Sequence, residues 1–143
     1  MASGATRAQG IFSIGVKKSI IGMRVLNNQR EDLGKIEDIV VDTRDNRVNY
    51  AILSFGGLLG MGDKHFAIPW QALAFDLSQK VAVLNVDRDR LAHAPGFDKN
   101  NWPDVADAKW AQSVHDHYGY EIESLDPNSK VSASDIVTGK TLV

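Results

Sequence analysis

The chain has 143 residues, 43% hydrophobic and 24% charged, with a formal net charge of −2 and no cysteine. That length builds one domain with a real core, and the lack of thiols excludes disulfides, thiolate metal sites and a cysteine nucleophile. No apolar run reaches the ~20 residues needed to cross a bilayer, and the first 20 residues lack the order of a secretory leader, so the expectation is a cytoplasmic protein with no membrane span.

Residues 1–15 are small and polar and read as a flexible tail. Arg7, Lys17, Lys18, Arg24 and Arg30 give residues 1–30 a charge of +5 with no acid, which leaves −7 on residues 31–143. An acidic body makes a poor general surface for nucleic acid. The basic segment reads as a solvated arm, with an anionic surface, a membrane or the acidic body as its other possible contacts.

From there to Val86 the chain alternates short β-rich runs with turn clusters. The runs are IIGMRVL (20–26), LGKIEDIVVD (33–42), RVNYAILSF (47–55), HFAIPW (65–70), ALAF and VAVLNVD (81–87). Five or six such strands predict a small antiparallel β-barrel or sandwich, and the resemblance described below makes it a barrel over 16–97. In KIEDIVVD the alternation is imperfect, which predicts burial on both sides toward its end. RVNYAILSF is apolar on both faces, which predicts something packed on its outside.

Past Val86 the composition favours helix. Asp104 or Asp107 can cap a helix with Trp110, Val114 and Tyr118 at i, i+4 and i+8, and Gly119 suits its end. Its single apolar stripe predicts packing on the barrel or on a partner subunit. Residues 98–143 form a helical extension ending in a β-rich segment, VSASDIVTGKTLV (131–143), suited to a sheet edge.

The stretch SFGGLLGMGDKHFAIPW (54–70) imitates a phosphate loop. Gly57 and Gly62 have the G-x-x-x-x-G gap, but Asp63 stands where the lysine belongs and would repel a phosphate, and the loop opens a strand rather than a helix. No nucleotide or other cofactor is therefore expected. What remains is a loop carrying Leu58, Leu59 and Met61 among Gly57 and Gly60, which either folds over one end of the barrel or meets a partner.

Other chemistry finds little support. His115 and His117 point about 200° apart on a helix, so they are not an i, i+4 metal pair, and the four histidines read as solvated. Glu37 and Asp38 face opposite ways on a strand, while Asp42, Asp45 and Asn46 read as turn formers. No G-x-S-x-G elbow occurs, and Trp70, Trp102 and Trp110 read as packing residues.

The runs IGMRV (21–25), LGKIEDIVVD (33–42), YAILSFGG (50–57), GDKHFAIPW (62–70) and RLAHAPGFDKNNWPD (90–104) resemble the PRC-barrel family. That family takes its name from the cytoplasmic domain of the photosynthetic reaction-centre H subunit and also includes a bacterial ribosome maturation factor. The resemblance implies a docking or assembly module, without catalytic residues to carry over. The expected function is a non-enzymatic protein–protein interaction module that self-associates. Its candidate surface is Gly57, Leu58, Leu59, Gly60, Met61, Trp110, Val114 and Tyr118. The alternative is an RNA- or ribonucleoprotein-associated barrel. A small-ligand or hydrolytic enzyme, for which barrels can offer a pocket, is the weakest reading.

Overall fold

Extended Val- and Ile-rich runs pair into one sheet in the computed structural model, which describes residues 13–55 and 64–122. A turn of π-helix (Val16–Ile20) leads to β1 (Arg24–Leu26), β2 (Asp32–Asp42), β3 (Arg47–Phe55) and β4 (Lys64–Pro69). A 3₁₀ turn (Trp70–Ala72), β5 (Leu73–Asp76), β6 (Val81–Leu84), α1 (Arg88–Ala92), β7 (Gly96–Asp98) and α2 (Ala108–Tyr118) follow. The fold is mainly β, as expected.

The strand order is β5-β6-β1-β2-β3-β4-β7. Two features correct the antiparallel-barrel expectation. First, β1 and β6 pair in parallel, Arg24 opposite Val81 and Leu26 opposite Val83. Parallel neighbours need a long connection, and the intervening strands supply it. Second, the pairing runs from β5 at one end to β7 at the other, and no pair joins those two among the described residues. The segment after Val86 is also less helical than its composition predicts. It holds β7, whose Phe97 lies opposite His65 on β4.

The irregular alternation of β2 has a physical cause. The β2–β3 register shifts between Ile36 and Asp38, and again between Val40 and Val41. Each bulge inverts the inside–outside phase. The far end of β2 is therefore half-buried rather than buried on both sides, and Val41 is 51% exposed. Gly34 makes the close approach of β2 to β3 possible. Its φ is +117°, and a Cβ there would lie 2.0 Å from the Ser54 carbonyl oxygen.

β3 is buried on both faces, with Tyr50, Ala51, Ile52, Leu53 and Phe55 all inaccessible. The expected outer cover is α2, which packs on β4 and reaches Tyr50. Ile36, Ile52, Phe66, Ile68, Leu84 and Leu91 lie at the centre of a single core. The β2–β3 turn is closed by Asp42, which accepts from the Arg44 backbone N–H (2.9 Å) and from its guanidinium (2.9 and 3.2 Å). Asn46 takes the left-handed conformation there, φ 58°.

Candidate functional site

Two surfaces combine aromatic residues with polar groups. The first lies under α2. Asp107 caps the helix, accepting from the Lys109 N–H (3.0 Å), and Gly119 ends it at φ 78°, its N–H donating to the His115 carbonyl (2.8 Å). This positions the helix so that Trp110 meets Tyr50 edge-on, with ring centroids 5.3 Å apart. His115 reaches the same tyrosine from one turn further along.

The hydrogen bonds of His115 fix its tautomer. The Tyr120 carbonyl, 3.1 Å from Nδ1, can only accept, so Nδ1 carries the proton. In the neutral ring Nε2 then accepts from the Tyr50 hydroxyl at 3.0 Å. His115 is only 4% exposed, which overturns the expectation of a solvated side chain. Burial raises the pKa of the Tyr50 hydroxyl, so it stays a protonated donor.

Of the residues expected to form an interaction surface, Val114 and Tyr118 are buried against the chain's own core and Trp110 is half-buried. The reason is the one-sided stripe, which the sheet takes up. The Tyr118 hydroxyl has no hydrogen-bond partner among the described residues, and burial drives its pKa well above the ordinary phenol value. Gly57, Leu58, Leu59, Gly60 and Met61 lie outside the described residues. A reciprocal pair joins the two helices: Arg90 donates to the His117 carbonyl, and His117 Nε2 donates to the Arg90 carbonyl (3.1 Å).

His65 is buried as well, beside Phe97, with Nδ1 unpartnered among the described residues. Among the described residues no group of three His, Asp or Glu side chains comes together as metal ligands would.

The second surface is an open groove of about 690 Å³ at the β5 end of the sheet. Ile14 and Ile20 line it together with Trp70, Phe75, Asp76, Leu77 and Ser78. The Trp70 and Phe75 rings lie 5.2 Å apart. Gln71, next to Trp70, donates to the Glu121 carbonyl (3.0 Å), which brings the segment after α2 to the same end. Sequence reading took Trp70 for packing and missed the groove. Its walls come from segments some 50 residues apart, and a short apolar run carries no mark of which end stays open.

The PRC-barrel domain family matches residues 17–91, just over half of the chain. No curated protein matches it. Among solved structures, a candidate 16S ribosomal RNA processing protein, RimM, from Pseudomonas aeruginosa is 18% identical over 57% of this chain and 48% of its own, with a TM-score of 0.38. The chain therefore spans about half the length of that protein.

Proposed function

The chain belongs to the PRC-barrel family, and from that premise we propose that it is a non-enzymatic assembly module, a barrel-like sheet that docks other proteins, including a second copy of itself. In this reading the β5 and β7 ends of the sheet curl toward each other, and the unit of 16–97 works in the cytoplasm with α2 as its cover. The observation that carries the reading is the set of large apolar side chains left at the surface: Val16, Val41, Leu77, Trp102, Tyr120 and Ile122 are each at least 36% exposed. Such groups mark a contact surface where they cluster. The sequence adds Leu58, Leu59 and Met61, for which a contact role remains the proposal.

Light scattering on a sizing column tests this. A dimer or larger species is expected, weakened by Leu58→Asp combined with Leu59→Asp. A monomer indifferent to those changes overturns self-association.

The charge split favours a second reading, an RNA-associated barrel that uses the five bases of residues 1–30. It requires binding that falls steeply with salt, and absence of binding at low salt removes it.

A further inference from the structure

We propose that the groove beside β5 binds a small quaternary ammonium compound, its cationic head held by Trp70, Phe75 and the charge of Asp76 and its apolar body by the aliphatic lining. The volume, about 690 Å³, falls inside the roughly 300–1,000 Å³ of small-molecule sites. Ile14, Ile20, Trp70, Phe75 and Leu77 make the lining mainly apolar. Leu77, 38% exposed, leaves apolar surface that a guest would cover.

The sign of the charge follows from Asp76, the one charged side chain among the lining residues. It makes no ion pair among the described residues. Its partners are neutral donors. Oδ1 accepts from the Ser78 N–H (3.1 Å), the Ser78 hydroxyl (2.7 Å) and the Gln79 N–H (3.2 Å), and Oδ2 accepts from the Gln79 side-chain amide (3.0 Å). These bonds leave the negative charge in place. The Ser78 hydroxyl, foremost among them, holds the carboxyl below the ordinary carboxylate range, so it is ionised at neutral pH. The Arg30 guanidinium is the weakest of these influences and is itself held by the Gln79 side chain (2.8 Å). An unpaired anion in an apolar lining favours a cationic guest.

The same hydrogen bonds select the kind of cation. A carboxylate offers about four acceptor positions, and Asp76 already receives a donor from each of those four groups. A primary ammonium brings three N–H groups and would have to displace them, opening the β5–β6 turn. A quaternary ammonium has no N–H, so it takes the charge through van der Waals contact and leaves the turn intact. The Trp70 and Phe75 rings, 5.2 Å apart, both line the groove, and aromatic rings attract such a head through their quadrupoles.

Titration calorimetry of the full chain with butyrylcholine tests the proposal, against 3,3-dimethylbutyl butyrate, its uncharged carbon isostere. One-to-one binding is expected, with the isostere weaker by about fivefold, the size of a partly exposed cation–π contact. Hexylammonium should bind weaker than hexyltrimethylammonium by about fivefold or more, because its N–H groups lose water without a free acceptor. Asp76→Asn should weaken butyrylcholine and leave the isostere unchanged. Trp70→Leu with Phe75→Leu, which keeps apolar bulk and removes the rings, should do the same. The comparisons between ligands need only the parent chain, so they stand even where a variant fails to fold. No binding of butyrylcholine, equal binding of the isostere, hexylammonium as tight as hexyltrimethylammonium, or equal loss of both esters in a folded variant would each overturn it. So would binding to phosphatidylcholine vesicles without binding of butyrylcholine, which would make the face a membrane surface instead.

Discussion

The face under α2 and the groove beside β5 are built from the same materials, aromatic rings and a few polar groups, yet they end in different states. Under α2 the hydrogen-bonding atoms of His115 and the Tyr50 hydroxyl are matched inside the chain, and Trp110 covers the ring edge. At the groove Trp70 and Phe75 pack on each other and on the rim of the core, and part of their surface lines the cavity. A satisfied polar network within an apolar contact holds an element in place. A partly exposed residue at the rim, such as Leu77, contributes less to the monomer's stability than a buried one. Residues of the first surface should thus control stability, and those of the second should not.

The largest effect is expected from Val114→Asp. It places an uncompensated carboxylate at a fully buried position and should cost about 3 kcal/mol or more, read by urea unfolding. A loss under 1 kcal/mol would mean that α2 is not held to the sheet in solution. Tyr50→Phe sharpens the point, because it removes the donor to His115 Nε2 and leaves that buried atom unpaired, for about 1–2 kcal/mol. A neutral result would show that water replaces the hydroxyl.

Asp42→Asn is a control remote from both surfaces. The Arg44 side chain, through its hydrogen bonds, holds the Asp42 carboxyl below the ordinary carboxylate range. A lowered folded pKa adds stability above the unfolded value, near 3.9, and that stability is lost as pH falls through the folded value. The variant should therefore be less stable by about 1 kcal/mol at pH 7, and the gap should close as pH falls through the lowered folded value of the Asp42 carboxyl. A gap that persists in acid would assign the effect to shape rather than charge. Last, Leu77→Asp in the groove should change stability by no more than about 0.5 kcal/mol. A larger loss would erase the distinction between the two surfaces.

The elements that were legible were those governed by local chemistry. Asp107 and Gly119 bracket α2 because a side-chain acceptor and a left-handed glycine act on adjacent backbone. Asp42 and Asn46 turn the chain for the same reason. The doubly apolar β3 correctly required an outer layer. β7 was missed because three residues between a proline and a turn carry no periodicity, and only pairing with Lys64–Phe66 makes them a strand. The phase of β2 was misjudged because bulges belong to the pairing of two strands rather than to one strand's pattern.

By itself the sequence determined a mainly β chain of the PRC-barrel family, its turns and caps, and a helix with one apolar stripe. These rest on φ preferences, side-chain alternation and short-range hydrogen bonds, which act within a few residues. Only the tertiary structure decided that β1 runs parallel to β6, that His115 is buried on Tyr50, and that Ile14 and Trp70 line one groove. Each of these joins residues about 50 or more positions apart. Such contacts are selected by the packing of the whole chain, and no local pattern encodes them.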